Sequence, residues 1–448
     1  MSRLCKGMGN RERGMGVVRV LDNGLRVVLI PCEAESVAVG LFIASGSRHE
    51  TAKTSGISHF IEHMLFKGTP TRKPIDITRA IEGRGGNFNA CTGEEATCYY
   101  AHLPCEYLAE AVDILSDMYL RATIPADEFA REKQVIVEEI RMYADEPDSV
   151  AMENLQRALF PKSQLGAPVA GTPESLKPMK PADLKRYIKS HYLPSNTVAV
   201  IVGNFDEAKA LRLISRSFRG EAVSRPLQHK DASSLTSGQS ITRGEAELAK
   251  QVARGVTASP LSGHPVSRVS VPKDIAQTQL ALGYRTFGIR DSRKYAATVM
   301  DAILGRGMSS RLFQEVREKR GLSYDISSRM QFFQDAGMFT VTAGLDPAKA
   351  KDALATIDRE LKRICEKPVS AAELKRTKDF LVGNFRLSHE KVTSKLFFYG
   401  QTMLSFGRLV TPQEQVEGIR AVTAADVKAV ARAILKPANR SVSWVVPK

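Results

Sequence analysis

Cysteine is scarce in this 448-residue chain: Cys5, Cys32, Cys91, Cys98, Cys105 and Cys365 are the six, with no C-x-x-C pair among them. So few thiols in so long a chain exclude a disulfide scaffold and point to reduced thiols in a cytosol-like compartment. Cys91, Cys98 and Cys105 recur seven apart in a strand-rich stretch, and small buried thiols are expected there rather than a metal site. Long apolar runs are missing as well. No segment approaches the roughly 18 consecutive apolar residues of a membrane span. The opening residues, MSRLCKGMGNRERGMG, are basic but lack the apolar stretch of a secretory signal. Their glycines and Glu12 also suit a mitochondrial presequence poorly. Extremes of composition are absent too: 43% hydrophobic and 25% charged residues exclude disorder, collagen and coiled coil as the overall class.

What the chain has in excess is positive charge, a formal +15. That balance raises nucleic acid, acidic membrane surfaces and acidic partners as candidates. No RNA-binding aromatic signature, C2H2 spacing or basic amphipathic helix accompanies it, so neither nucleic acid nor membrane is expected as a partner.

Chains longer than roughly 250–300 residues usually divide into several cores. Residues 25–30 and 37–44 read as buried strands, and 55–66 and 74–83 as helices. Residues 85–91 and 97–103 read as paired strands with Gly93 near their turn, and 105–119 and 126–143 as amphipathic helices. A helix over 181–191, a strand over 197–203 and a helix over 206–217 complete an α+β half. Residues 221–270, rich in Ser, Gln, Gly, Lys and Arg, read as an interdomain linker. The remainder echoes the first half: Arg320-Gly321 repeats Arg84-Gly85, and Val369-Ser370-Ala371 repeats Ile124-Pro125-Ala126, at offsets of 236 and 245. A single repeat of that size is two copies of one domain rather than a solenoid. The expected organisation is therefore 1–220, a linker over 221–270, and 271–448.

One segment carries chemistry: Ser58-His59-Phe60-Ile61-Glu62-His63 contains H-x-x-E-H on an expected helix. At 3.6 residues per turn His59 and His63 share a face, with Glu62 beside His63. Two imidazoles so placed can bind one Zn²⁺, and the carboxylate can take a proton from a water on the metal. A third ligand is needed. Glu138 and Glu139, in the helix over 126–143, are the candidates, about 100° apart around its axis. Pattern alone leaves the two nearly even. Glu132 lies two turns before Glu139 on the same face.

The helix SHFIEHMLFKGT resembles the active-site helix of the insulinase/pitrilysin (inverzincin) family of zinc peptidases, in its short two-domain bacterial and mitochondrial-processing-peptidase-like branch. That family places its glutamate ligand about 76 residues beyond the second histidine, which falls on Glu139. A supporting glutamate seven residues earlier matches Glu132. Gly85-Gly86-Asn87-Phe88-Asn89-Ala90-Cys91-Thr92 resembles the family's G-G-x-x-N-A-x-T strand, in which Asn89 and Ala90 would present backbone to an extended peptide. In the second half, Gly307-Met308-Ser309-Ser310-Arg311-Leu312 and the run to Tyr324 resemble the family's inactive-domain signature, whose Arg and Tyr match Arg317 and Tyr324 as substrate contacts. Val299-Met300-Asp301 stands where the histidines would fall, and Asn384 matches Glu139, so the second copy lacks the metal set.

The resemblance spans about Arg19 to Val446 and implies two homologous α+β domains, each an antiparallel sheet covered by helices, forming half of a clamshell. It implies a zinc endopeptidase: His59, His63 and Glu139 on Zn²⁺, Glu62 as general base, extended or targeting peptides as substrate, and a homodimer. The linker is longer than is usual for the family. A non-catalytic scaffold subunit of the same fold is the alternative. The expected compartment is a bacterial cytoplasm, with the mitochondrial matrix as the other choice.

Overall fold

The computed structural model describes residues 16–219 and 267–448. In the N-terminal half the strands are β1 Val17–Val20, β2 Arg26–Pro31, β3 Ser36–Ile43, β4 Asn87–Thr92, β5 Thr97–Pro104 and β6 Thr197–Gly203. Its helices are α1 Ile57–Leu65, α2 Pro74–Glu82, α3 Leu108–Arg121, α4 Ala126–Asp145, α5 Pro147–Leu159, α6 Pro173–Leu176, α7 Pro181–His191 and α8 Glu207–Ser217. The C-terminal half contributes strands β7 Ser267–Lys273, β8 Thr278–Thr286, β9 Ser323–Phe332, β10 Gly337–Leu345 and β11 Arg440–Pro447. Its helices are α9 Lys294–Gly305, α10 Ala350–Glu366, α11 Ala371–Ser388, α12 Val392–Phe406, α13 Pro412–Ala421 and α14 Ala424–Ile434. Residues 220–266, most of the expected linker, lie outside the described residues, and 267–270 belong to β7. No described helix is long and apolar enough to cross a membrane.

The described chain forms two compact units, and neither is a contiguous half. One contains 16–137, 169–219 and 386–410; the other contains 138–168, 267–385 and 411–448. The first unit holds a six-stranded sheet in the order β1-β2-β6-β3-β5-β4, the second a five-stranded sheet in the order β7-β11-β8-β10-β9. Without β1, the two orders are the same topology, which is the duplication seen in the sequence. The expectation of an antiparallel sheet is corrected in both: β2 runs parallel to β6, and β7 parallel to β11. Parallel neighbours require a long crossover, and β6 returns beside β2 only after α1 to α7.

Burial follows position in the sheet. Central β6, TVAVIVG, is buried along its whole length, whereas edge strand β4 alternates exposed and half-buried residues. In the first unit α12 covers one face, with Val392, Leu396, Tyr399 and Met403 packed among Val28, Phe42, Cys98 and Val200. In the second unit α5 does the equivalent, with Ala151, Leu155 and Leu159 against Ala281, Met338 and Val445. The helix following each long helix has thus been exchanged between units. The same glycine admits it each time: a Cβ on Gly40 would meet Leu396 at 3.2 Å, and one on Gly283 would meet Leu159 at 2.9 Å.

Candidate metal centre

Helix α1, ISHFIEHML, buries Ile57, Phe60, Ile61, Met64 and Leu65, the i, i+3, i+4, i+7, i+8 stripe of an amphipathic helix. The apolar stripe leaves His59, Glu62 and His63 to the opposite face. The histidine rings meet edge to face with centroids 4.8 Å apart. Ligand atoms of His59, Glu62 and His63 all lie within 4.8 Å of one another, a span over which side-chain rotation can close a metal site.

The start of α1 is held by backbone and by a buried carboxylate. Gly56, at the N-cap, has φ +91°, and a Cβ there would stand 2.6 Å from the Ala170 carbonyl oxygen. Only glycine suits both the left-handed backbone and the close approach. Glu50, 5% exposed, accepts from the Gly56 N–H at 2.7 Å and from the Ser58 N–H at 2.8 Å. Its charge complements the helix N-terminus. Burial nevertheless pushes its carboxyl up to about 7, against those hydrogen bonds. Ser58 Oγ lies 3.3 Å from Tyr187 Oη, which is 3.1 Å from Ser45 Oγ, so α7 is tied to the same corner.

From α4, Phe129 stacks on Phe60 with centroids 4.6 Å apart, fixing the two helices side by side. One turn on, Glu132 Oε2 lies 3.0 Å from His63 Nδ1, and its Oε1 lies 2.5 Å from Lys67 Nζ. Burial raises the Glu132 carboxyl, but the bonds from Lys67 and His63 outweigh it and hold the group below the ordinary carboxylate range. An ionised carboxylate only accepts, so Nδ1 of His63 carries a proton, and in the neutral ring this leaves the lone pair on Nε2. A neutral imidazole held in this orientation is the form a metal ligand takes, so the residues fit zinc. Glu62 Oε2 accepts from Thr92 Oγ1 at 2.5 Å, which orients the carboxylate from the end of β4.

Glu139 is half-buried on α4, seven residues beyond Glu132 and so on the same face. Glu138 is exposed and paired with Arg141 at 2.6 Å. Of the two β4 residues, Ala90 has its backbone on the outer edge. The turn bond from Gly93 N–H to the Ala96 carbonyl continues the β4–β5 ladder, in which hydrogen-bonded pairs alternate; Asn89 opposite Tyr100 therefore faces β5, and Ala90 faces out. The Asn89 contribution at the edge is its side chain, whose Oδ1 accepts from the Ala90 N–H at 2.8 Å. In the second unit, Arg317 lies on a π-helical turn, Phe313–Glu318. Its guanidinium sits 4.7 Å over the Phe313 ring and 5.0 Å over that of Tyr324, which is 78% exposed. Arg317 and Tyr324 are thus brought together.

Helix α9, the counterpart of α1, buries Asp301 completely, bonded by Arg306 Nε at 2.5 Å and Ser328 Oγ at 2.6 Å. The expectation of small buried thiols holds for Cys98 but not for Cys91, which is exposed, or Cys105, which is half-buried. Strand parity turns every second residue of an edge strand outward. Glu50, Lys67, Thr92 and Tyr187 are members of this site to which the sequence assigned no role, although Lys67 and Thr92 stand within the quoted motifs. Among them only Lys67, one turn after His63, stands at helical spacing from the motif.

The sequence matches the model of the insulinase family, peptidase family M16, over residues 26–173, and that of the peptidase M16 inactive domain over 178–381. It is 33% identical over 412 residues to YmxG of Bacillus subtilis, named an uncharacterized zinc protease, covering 92% of this chain and 93% of that one. A Mycobacterium tuberculosis protein with the same description is 34% identical over 417 residues, 93% of this chain and 90% of that one. In fold, the chain is similar to the crystal structure of a protease from Helicobacter pylori, with TM-score 0.86, 22% identity, and coverage of 97% and 100% of the two chains. The chain belongs to the insulinase family of peptidases, family M16.

Proposed function

We propose that this protein is a zinc-dependent endopeptidase acting on extended peptides. The observation that carries the proposal is the closed group of His59, Glu62 and His63 on one face of α1, with Glu132 fixing the tautomer of His63. His59, His63 and Glu139 would hold the metal. Glu139 is preferred over Glu138 because it shares the Glu132 face, while Glu138 is engaged with Arg141 on the exposed side. Bound zinc supplies a Lewis acid that polarises the scissile carbonyl and lowers the pKa of an attacking water toward about 7. Glu62 takes the water proton on its carboxylate and returns it to the departing amine nitrogen. Thr92 keeps one carboxylate oxygen occupied, which presents the other for proton transfer. The outward backbone of Ala90 on β4 receives the peptide as an added strand, a mode that reads main chain and tolerates varied side chains. The Asn89 amide oxygen gives up the Ala90 N–H when the peptide arrives. Arg317 and Tyr324 are assigned to substrate on the family resemblance. The relatives named above are bacterial, so a bacterial cytoplasm rather than a mitochondrial matrix is the compartment proposed. A homodimer is proposed as the working form, and sedimentation at micromolar concentration checks it.

The test is Glu62→Gln assayed with a quenched peptide and by metal analysis. Zinc should remain bound while cleavage falls by about 10²–10⁴-fold, the contribution of a general base. Full activity in the variant would refute the mechanism. Zinc binding without cleavage in the wild type would favour the scaffold reading.

A further inference from the structure

Two of the first unit's thiols, neither used by the metal chemistry, face each other across a hairpin. Cys91 on β4 and Cys98 on β5 are direct partners across an antiparallel ladder whose register shows no shift. Directly opposed residues have Cα atoms about 4.5–5.5 Å apart and side chains on the same face, inside the window of about 4.4–6.8 Å that a disulfide requires. The two thiols already interact. Cys98 hydrogen-bonds to Cys91 and holds the Cys91 thiol below its ordinary range, against its partial burial and the nearby Glu62 carboxylate. Burial pushes the Cys98 thiol well above its ordinary range. Cys91 is exposed on an edge strand, and Cys98 is 3% exposed among Phe42, Val200 and Leu396. One sulfur is therefore reachable and disposed to ionise, and the other is shielded directly opposite it.

We propose that Cys91 and Cys98 form a hydroperoxide-reactive pair that closes to a disulfide across β4 and β5. The Cys91 thiolate attacks one peroxide oxygen, the O–O bond breaks, and hydroxide leaves as water after protonation. Cys91 is then a sulfenic acid. The Cys98 sulfur attacks the Cys91 sulfur, the S–O bond breaks, and the hydroxyl departs as a second water with the Cys98 proton. Two thiols lose two electrons in total and one peroxide gains them. A dithiol reverses the change. The bond crosslinks the edge strand one residue before Thr92, the residue that orients Glu62, and consumes no metal ligand.

Peptide mapping of the full-length, zinc-loaded protein tests this. The protein is treated with a small molar excess of hydrogen peroxide, remaining thiols are blocked with iodoacetamide, and the chain is cleaved after Glu94 and Glu95, between the two cysteines. The fragments carrying Cys91 and Cys98 should stay joined, two hydrogens lighter than their sum, and separate on dithiothreitol. Before oxidation, iodoacetamide should label Cys91 about tenfold or more faster than Cys98, as exposure and thiolate character dictate. In Cys98→Ser, oxidation should stop on Cys91 as the sulfenic and then the sulfinic acid. Wild-type protein in which Cys91 gains oxygens without joining Cys98, or joins another cysteine, would overturn the proposal. So would Cys91 that stays reduced while an unfolded control is oxidised.

Discussion

Glu50 should make the folded protein less stable as pH rises through neutrality, opposite to the usual effect of a buried, hydrogen-bonded carboxylate. Its carboxyl titrates at about 7 when folded, against an ordinary 4.5. Between those values the folded chain holds a proton that the unfolded chain has released. Its stabilising contribution is complete below about pH 4.5 and is lost as pH rises through about 7. The gap corresponds to about 3 kcal/mol, of which about 2–3 kcal/mol falls between pH 5 and pH 8. Asp117 and Glu132, both held below the carboxylate range, work in the other direction, so the wild-type curve alone is a sum. Comparison with Glu50→Gln isolates the Glu50 contribution. The amide can accept only one of the two N–H bonds and sets its own N–H against the other, a fixed cost of about 1–3 kcal/mol at every pH. Urea unfolding of both proteins in chelator, at pH 5, 6, 7 and 8 and constant ionic strength, gives the difference. The wild-type advantage should shrink by about 2–3 kcal/mol across that range. An advantage that is constant, or that grows with pH, would refute the assignment of a high-titrating Glu50.

Gly56→Ala should lower stability by about 1–3 kcal/mol, read as a lower urea midpoint, because the left-handed N-cap of α1 and the Ala170 carbonyl at 2.6 Å both exclude a Cβ. Glu132→Gln should weaken zinc binding by about 10–100-fold in a competition titration, since the amide can no longer enforce the tautomer of His63 as a carboxylate does. Glu139→Gln should lose zinc at micromolar metal whereas Glu138→Gln keeps it; the reverse outcome would reassign the third ligand.

The motif helix was legible because two patterns coincide on it. Apolar residues at 57, 60, 61, 64 and 65 announce the buried face, and the chemistry occupies what is left. The strands beside it were legible for a similar reason: β6 is continuously apolar, as a central strand must be. Helix α5 was not recognised. Ala151, Leu155 and Leu159 form its only buried stripe, a narrow one among charged neighbours, and the sheet it covers belongs mostly to the other half of the chain. Local periodicity reports that a face is apolar, not which distant surface it meets. Glu50 was silent for a related reason. In Ser47-Arg48-His49-Glu50 it reads as a surface turn, and only folding brings the Gly56 and Ser58 amides to its carboxylate. The parallel pairing of β2 with β6 likewise depends on a crossover that no local window contains.

The exchanged helix also sets a timetable for synthesis. The face of the first sheet bearing Phe42 and Val200 is covered by Leu396 and Met403, so β6 emerges from the ribosome nearly two hundred residues before its cover does. At about 5–20 residues per second, that apolar surface waits roughly 10–40 s for its partner. The reciprocal helix, α5, waits about 120 residues for β8 and about 280 for β11. Neither half can therefore mature as it is made: the first sheet is covered only once α12 has emerged, and the second is completed only once β11 has. A chain built by duplication thus depends on long-range closure in each of its units, the kind of contact that folds slowly.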